Sequence, residues 1–451
     1  MKKPLTHAFA VLSALLLITG CMGPFESDEA DTAPQGVAVT VPEASVTSVP
    51  KSYTAEEFEF QTVVEVPLSV EVKLYPAFSE TGEPVPLTAE EIAAEARNTL
   101  ATLYDDEGEV AFQAAFAGGK TLQRTLVLPT GKEAYRLELS RPGYDPVIVP
   151  LENAPQQEAI SVTAHLKQSR SGSVGASVAT EVNPRYRVPA GDFFTVAYED
   201  YFPNVGDADF NDFVVQYDIE VTEEFVDVIG ATFVTQYVVE ATARARAAGF
   251  DHEFGFALDF PNFEGDYTYW YEEVASDGTV VRREFSDSSI GSARIPLFPN
   301  TKKAFDRGGA PVSNDNGSNG EPFSKGLKAG FTIEFSPRTL QVSPDDIEAP
   351  PLDPYLFVHN TGYDVHLIGK PALDGSKNFE VPLSEWENFL DQNGYPRALL
   401  VPTAWPHPLE VTQIDNAYTD FTTWRTTNGA EQQDWYERPN VGLVFEWPDN
   451  N

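Results

Sequence analysis

One acidic segment holds the densest group of side chains suited to metal chemistry. Its candidate ligands are Glu199, Asp200, Asp207, Asp209, Asn211 and Asp212. Like charges this close together repel one another strongly unless a cation neutralises them. Oxygen ligands without histidine or cysteine favour Ca²⁺ over Zn²⁺ or copper. The segment therefore predicts a calcium site formed by these residues.

The spacing of the acids begins like an EF-hand loop and then departs from it. When Asp207 is counted as position one, the sixth position is Asp212, where an EF-hand needs glycine, and the twelfth is Asp218 instead of glutamate. Residues 213–219 are mostly β-branched or aromatic and predict a strand. We therefore expect a calcium loop at the entrance of a strand. The alternative is a solvated acidic turn whose aspartates cap backbone amides.

The elements that must position these acids are predicted to be mainly strands. Short β-branched and aromatic runs separated by turns predict a β-sandwich over residues 56–166. Within it, Arg141-Pro142-Gly143-Tyr144 resembles the corresponding turn of prealbumin-like or Ig-like modules. One helix is expected to start at Ala89, because Thr88 and Glu91 form a capping box.

The remaining composition divides the chain into further segments. Residues 21–55 are rich in proline, threonine and acids and predict a flexible acidic tether. Small residues over 167–184 predict a linker, and residues 185–447 predict a larger β-rich domain with a few short helices. The last of these helices should bury one apolar stripe. Its members are Ile414, Ala417, Tyr418, Phe421 and Trp424.

The acidic segment also carries a family resemblance. Residues 198–215 read YEDYFPNVGDADFNDFVV, and segments 248–258, 353–358 and 362–371 follow in the expected order. Together they resemble the signature of the LruC domain family of exported bacterial proteins. The resemblance implies an exported domain over residues 185–447, with an acidic motif similar to those of calcium-binding β-domains. It implies no reaction.

The N-terminus predicts export. Lys2 and Lys3 precede an apolar run over residues 8–18, which is too short to span a bilayer comfortably. This pattern, followed by small residues, is typical of a secretory signal over residues 1–20. Cys21 is the only cysteine of the 451 residues, so no disulfide can form within the chain.

The residues around Cys21 indicate a lipid anchor. Ile18-Thr19-Gly20-Cys21 resembles the lipobox of bacterial lipoproteins, which implies cleavage before Cys21 and lipid attachment to its sulfur. Several acyl chains on one residue provide stable attachment to a membrane. Met22, rather than aspartate, follows the cysteine, which resembles the default sorting of lipoproteins to the outer membrane.

The net charge limits the possible partners. The formal charge is −39 at pH 7, so nucleic acid and anionic headgroups should be repelled and divalent cations attracted. Hydrophobic residues make up 42% of the chain and aromatic residues 12%, which is ordinary for a folded protein. We therefore expect a folded body with no nucleic-acid partner.

The favoured function is a non-enzymatic, calcium-stabilised envelope lipoprotein with a structural, adhesive or ligand-binding role. No catalytic residue is predicted, because the histidines show no metal or nucleophile spacing and are expected to be structural or exposed. A first alternative is a carbohydrate-binding lipoprotein that uses exposed aromatic residues. Its candidates are Trp270, Tyr271, Trp435 and Tyr436. A carboxylate- or metal-dependent hydrolase ranks last. Glycans or proteins at the cell surface are the expected partners.

Overall fold

The computed structural model describes eleven stretches of the chain. They are 43–52, 60, 62–75, 85–94, 98–169, 184–226, 231–307, 312–315, 323–335, 352–380 and 389–448. The predicted signal, Cys21, most of the tether and most of the linker lie outside them. Within these stretches, none of the helices has the length and apolar character needed to cross a membrane. The described residues belong to one compact unit that begins at Thr40.

The described residues between 44 and 167 form a β-sandwich, which starts earlier along the chain than the predicted bounds of 56–166. Its strands are β1 (Ala44–Pro50), β2 (Val63–Tyr75), β3 (Asn98–Tyr104), β4 (Val110–Ala117), β5 (Leu122–Pro129), β6 (Ala134–Ser140), β7 (Val147–Glu152) and β8 (Gln157–Lys167). They pair as two sheets, in the orders β1-β8-β2-β5 and β4-β3-β6-β7. Alternate residues such as Val66 and Leu68 point inward and meet Leu137 and Val149 of the other sheet. The core therefore lies between the two sheets.

Within the sandwich the predicted helix is present, and one strand lies where the sequence predicted a flexible tether. Helix α1 (Ala89–Ala94) starts where predicted, and its capping box is formed: the Thr88 amide donates to Glu91 Oε2 at 2.8 Å, and the Glu91 amide donates to Thr88 Oγ1 at 3.3 Å. Strand β1 lies in the segment that the composition assigned to the tether. It pairs antiparallel with β8, although most of its side chains are exposed. The segment is extended because its backbone pairs with β8, and not because its own residues form an apolar face.

The larger part of the chain is also β-rich. Its strands are β9 (Arg185–Val188), β10 (Phe194–Tyr198), β11 (Phe213–Val226), β12 (Ala231–Ala247), β13 (His252–Val274), β14 (Val280–Phe298), β15 (Val312–Ser313), β16 (Lys328–Phe335), β17 (Asp353–Val358), β18 (Tyr363–Val365) and β19 (Ala398–Val401). The main path of the sheet is β18-β17-β13-β16-β12-β11-β10-β19. Strand β14 pairs with β13, β15 with β12, and β9 with β11. The predicted mainly β fold is confirmed.

Both faces of this sheet are buried around β10 and β19. Val196, Tyr198 and Leu400 pack into one core, which the sheet partly surrounds. Ala197 and Leu399 point the other way, because successive side chains of a strand alternate between faces. The strand that leads into the acidic segment is therefore fixed from both sides.

The second core lies between the sheet and the C-terminal segment. That segment contains helices α2 (Ile414–Ala417) and α3 (Thr419–Thr426). Elsewhere along the chain and near its end, short 3-10 turns occur at Ala154–Gln156, Thr301–Lys303, Lys377–Glu380 and Trp435–Glu437. The predicted apolar stripe is confirmed as core, since all five of its residues pack there. Trp405 and Trp435 complete the core with ring centroids 6.0 Å apart.

Buried contacts join the sandwich to the larger sheet. Arg124 of β5 donates to Glu223 Oε2 of β11 at 3.1 Å, and both side chains are almost fully buried. The Tyr186 hydroxyl donates to the other oxygen of Glu223 at 3.0 Å. The Thr62 hydroxyl donates to the Leu400 carbonyl at 2.6 Å. A buried, hydrogen-bonded ion pair of this kind is costly to break, so it fixes the contact between the two parts.

A buried charge cluster ties β17 to β18. The ring of His366 is fully buried, its Nδ1 lies 2.8 Å from Asp353 Oδ2, and its Nε2 lies 3.2 Å from Asp364 Oδ2. Burial alone would lower the pKa of His366, but the two flanking carboxylates outweigh it and raise the pKa to about 9. The ring is therefore protonated at neutral pH and donates from both nitrogens.

This cluster makes a prediction about alkaline stability. Because the folded-state pKa of His366 is raised, its contribution is complete below about pH 6.5 and is lost as the pH rises through about 9. The free energy of unfolding in urea should fall by about 2 to 3 kcal/mol between about pH 7 and pH 10 from this residue alone. The His366→Gln variant, which cannot titrate, should lack this part of the decrease. An equal decrease in both proteins would contradict the assignment.

Candidate metal centre

Three carboxylates converge in the loop that joins β10 to β11. Glu199 follows the last residue of β10, and oxygens of Glu199, Asp207 and Asp209 all lie within 4.8 Å of one another. Glu199 and Asp209 are buried, whereas Asp207 is exposed. The loop ends where β11 begins at Phe213. The strand predicted over residues 213–219 is therefore present as the start of β11, directly after the acidic segment.

Glu199 contributes one satisfied and one unsatisfied oxygen. The side chain is only 3% exposed, and its Oε1 accepts a hydrogen bond from the Phe210 amide at 2.7 Å. Its Oε2 is buried and accepts no hydrogen bond of ordinary geometry among the residues that the structure describes, although the Ala208 amide is close enough to the carboxyl group to lower its pKa. A Cβ atom at Gly206 would lie 1.9 Å from this oxygen. A side chain at position 206 would therefore have to displace the Glu199 carboxylate from its present position.

Asp209 is held by the C-terminal segment. Its Oδ2 accepts from the Val411 amide at 2.7 Å, and the preceding carbonyl of Ala208 accepts from the Ile414 amide at 2.8 Å. Ala208 and Phe210, on either side, have φ values of 61° and 52°, in the left-handed region that side chains other than glycine disfavour. Such backbone persists only where its surroundings hold it in place. The Val411 and Ile414 amides of the C-terminal segment hold this backbone in place.

The electrostatics of the three acids oppose full ionisation. Burial chiefly raises the pKa of Glu199, to about 7, with a further contribution from the negative charge of Asp207 and against the Phe210 hydrogen bond. Burial, Glu199 and Asp207 together raise the pKa of Asp209 to about 8. A proton or a cation is therefore needed to hold these carboxylates together near neutral pH.

The other three predicted ligands lie beside this group in separate contacts. Asp200 Oδ2 lies 2.8 Å from His252 Nε2, and the Asp200 amide donates to Asp212 Oδ2 at 2.7 Å. Asn211 donates to the Pro408 carbonyl at 3.5 Å. Burial and the charge of Asp200 raise the pKa of Asp212 well above its usual range. These contacts join the two ends of the acidic segment to each other and to His252 of β13.

Sequence reasoning missed a further acid, Glu410. Its Oε2 is buried and lacks a hydrogen-bond partner within the described stretches, and its charge acts on Asp209. The charge of Asp207 acts on Glu410 in turn, and Asn211 is hydrogen-bonded to its carboxylate. Glu410 precedes Val411, which binds Asp209, so the C-terminal segment brings it to the loop. A single glutamate so far along the chain gives no local signal of this role.

Two buried arginines near the loop are engaged elsewhere. Arg397 donates through Nη2 to the Pro203 carbonyl at 3.2 Å and also to the Asn204 carbonyl, so it supports the turn inside the acidic segment. Arg246 donates to the Thr301 hydroxyl at 3.0 Å and to the Ala248 carbonyl at 2.6 Å. The charge of Arg397 also acts on Glu199, and that of Arg246 acts on Asp200 and Asp212.

The remaining residues with possible chemistry are mostly structural. His252 is buried against Asp200, and burial lowers its pKa. His407 is also buried, where its Nε2 lies 2.9 Å from the Asn314 carbonyl and burial lowers its pKa to about 4. His359 is exposed. His252 and His407 are therefore held by buried polar contacts, whereas His359 lies at the surface.

Of the four aromatic residues considered for sugar binding, two are buried and two are partly exposed. Trp435 and Tyr436 are 0% and 4% exposed, so the expectation that they form an exposed platform is wrong. They fill the core beneath the C-terminal helices instead. Trp270 is partly exposed, but the Arg282 guanidinium lies 3.9 Å from its ring centre. Tyr271 stacks on Phe285 with ring centroids 5.6 Å apart.

Comparison with protein families gives one match in the larger domain. A domain of unknown function, DUF4842, matches residues 233–436. The acidic loop precedes the matched residues, whereas Glu410 and Val411 lie within them. No curated protein matches the chain.

Comparison with solved structures supports the fold. A crystal structure described as a "putative lipoprotein" from Bacteroides ovatus matches with a TM-score of 0.53 and 15% sequence identity, over 77% of this chain and 99% of that one. At this identity the likeness concerns the fold alone. An oxalate decarboxylase from Bacillus subtilis reaches a TM-score of only 0.11 at 10% identity, over 67% of this chain and 68% of that one, which carries no argument. The chain is therefore similar in fold to the Bacteroides ovatus protein, and it contains a region similar to DUF4842.

Proposed function

We propose that this chain is a calcium-binding lipoprotein of the bacterial cell envelope, with a structural, adhesive or ligand-binding role. Ca²⁺ would bind at Glu199, Asp207 and Asp209. The observation that carries the proposal is the inward oxygen of Glu199, which is buried beside two other carboxylates without a hydrogen-bond partner in the described residues. A cation is the group that satisfies such an oxygen and neutralises its neighbours.

The dimensions of the cluster suit calcium. Ca²⁺ lies about 2.3 to 2.6 Å from its oxygen ligands, so two ligands on opposite sides of one ion are up to about 5 Å apart. The three carboxylates meet this limit, since their oxygens lie within 4.8 Å of one another. Mg²⁺ requires shorter bonds and stricter geometry. Glu410 has a buried oxygen without a hydrogen-bond partner in the described residues, and its carboxylate is close enough for the charge of Asp207 to add to the effect of burial and raise its pKa, so it is a candidate for a further ligand.

The consequence of binding would be structural. The loop contacts two separate elements, because the Val411 and Ile414 amides bind it from the C-terminal segment and the Ala247 amide donates to the Asn211 carbonyl from the end of β12 at 3.0 Å. An ion at Glu199 and Asp209 would lock β10 to the C-terminal segment. In a chain without a disulfide, this cross-link would stabilise the exported body.

The membrane anchor is the second part of the proposal. The lipobox-like residues before Cys21 support it, and so does the fold shared with the Bacteroides ovatus protein. Met22 after the cysteine favours the outer membrane, and the resemblance to the LruC family agrees with an exported domain. The acidic body would then be carried on the segment between Cys21 and β1.

Calcium should stabilise the folded chain. With calcium at about 100 times its dissociation constant, the gain is about 2.7 kcal/mol, which corresponds to a rise in Tm on the order of 3 to 6 °C over the chelated protein. The double variant Asp207→Ala with Asp209→Ala should lose this rise, and so should Glu199→Gln, which keeps an oxygen for the Phe210 amide. Differential scanning calorimetry measures the effect.

The control is Glu284→Gln, which removes one charge from an exposed position in β14. It should keep the full response to calcium. If the parent protein melts at the same temperature in calcium and in chelator, the calcium proposal is wrong. An undiminished response of the double variant would place calcium elsewhere and contradict this site.

The anchor is tested by metabolic labelling with an alkyne analogue of palmitate. The full chain expressed in a diderm bacterium should take up the label and sediment with outer-membrane vesicles, because acyl chains on Cys21 hold it there. Cys21→Ala should lose the label and appear in the soluble periplasmic fraction. Labelling that survives this substitution would refute lipid attachment at Cys21.

A further inference from the structure

Two exposed valines lie beside the candidate metal centre. Val411 and Val441 are 74% and 75% exposed, the highest values among the large hydrophobic residues of the described stretches. The Val411 amide donates to Asp209, so the first of these residues is attached directly to the candidate site. Exposed apolar residues that are scattered singly need no explanation, but these two lie together. We infer that these two valines, here called the apolar tip, dock the protein onto an anionic phospholipid surface when calcium is bound.

A short antiparallel contact brings the two valines to the same end of the C-terminal segment. The Leu409 amide donates to the Leu443 carbonyl at 3.0 Å, next to an antiparallel bridge. From this contact the chain turns over residues 409–412 on one side and over residues 440–443 on the other. In an antiparallel pair, the residues after one partner and before the other extend in the same direction. The two valines therefore lie in neighbouring turns.

The backbone of Val411 is unusual for a valine. Its φ is 62°, in the left-handed region that a β-branched side chain strongly disfavours. The side chain is mostly exposed, so burial does little to offset this cost. Glycine or asparagine would adopt the same conformation with less strain. Strained residues of this kind cluster at sites that bind ligands, so a strained and exposed valine beside the metal centre points to a binding role.

The charge of the body makes docking depend on calcium. Glu410 precedes Val411, the charge of Asp207 acts on it, and the whole chain carries a formal charge of −39, so an anionic surface would repel the tip without a cation. Ca²⁺ binds about six to eight oxygens, and Glu199, Asp207, Asp209 and Glu410 would supply about four if each gave one. Asp207 is exposed, so the open positions can be reached from outside. The phosphate oxygens of a lipid headgroup are hard ligands of the kind that Ca²⁺ prefers.

A membrane is the partner that suits the tip and lies within reach. Both valines are about three-quarters exposed at turns, so the tip projects from the surface, and projecting apolar side chains can enter the interfacial region of a bilayer. The inference rests on the proposed calcium site, and the proposed anchor would keep the body beside a membrane. Glu43, the first described residue, follows Cys21 by 22 positions, a length of chain that spans at most about 70 to 80 Å.

Vesicle flotation of the full chain with Cys21→Ala, which removes the proposed anchor, tests the inference. The probes are vesicles of phosphatidylethanolamine and phosphatidylglycerol, in calcium or in chelator. The protein should float with the vesicles in calcium and remain behind in chelator. Val411→Asn with Val441→Thr should weaken binding about tenfold or more, because less apolar surface leaves water. This double variant keeps the backbone amide that binds Asp209, so it should keep the calcium-dependent rise in Tm.

The matched control is Val280→Thr, which changes a valine that is 49% exposed at the start of β14. It should bind vesicles like the parent, and so should Val441→Leu, which stays apolar. If calcium raises Tm but the protein does not bind vesicles, the inference is wrong and the calcium proposal stands. Undiminished binding by the double variant, or equal binding in chelator, also overturns the inference. If calcium neither raises Tm nor promotes binding, both proposals fail together.

Discussion

The burial of carboxylates that lack a matching cation is the constraint on which this fold depends. Glu199 and Asp209 are almost fully enclosed, yet they lie within reach of each other and of Asp207. Burial and mutual repulsion each disfavour their charged forms, which is why their pKa values rise to about 7 and about 8. Two states relieve this strain: protonation, which weakens the loop's attraction for metal, and a bound divalent ion. Under the proposed function the second state applies, and the large negative charge of the chain favours it because it attracts divalent cations.

The architecture around the loop explains how such acids are held. Strand β10 is packed on both faces, so Glu199 at its end cannot turn outward without disturbing two cores. The C-terminal segment then closes over the loop, where its backbone amides bind Asp209 and the Ala208 carbonyl. The helices that deliver this segment are themselves fixed by the aromatic core around Trp435. Metal binding at the loop would therefore act on the sheet and on the C-terminal segment together.

Much of the fold could be predicted from local sequence signals, and the site only in part. The capping box at Thr88, the apolar stripe from Ile414 and the strand after the acidic segment depend on neighbours in sequence, and the structure contains all three. Asp200 instead contacts His252, which is 52 residues away in sequence, and Glu410 is brought near the loop by the C-terminal segment. Because both contacts join residues that are distant in sequence, no local sequence pattern predicts them. Trp435 and Tyr436 were misread because aromatic residues suit both cores and ligand platforms, and only tertiary packing distinguishes these roles.

The central claim is that Glu199 and its neighbours bind calcium in competition with protons. The most direct measurement is calorimetric titration of calcium into the full chain at about pH 6 and about pH 9, in buffers of different ionisation enthalpy. We expect one calcium site, release of protons on binding, and an affinity that is roughly tenfold or more higher at the alkaline pH, because the carboxyl groups are then already ionised. Glu199→Gln should weaken binding at both pH values. Calcium affinity that changes neither with pH nor with this substitution would contradict the account.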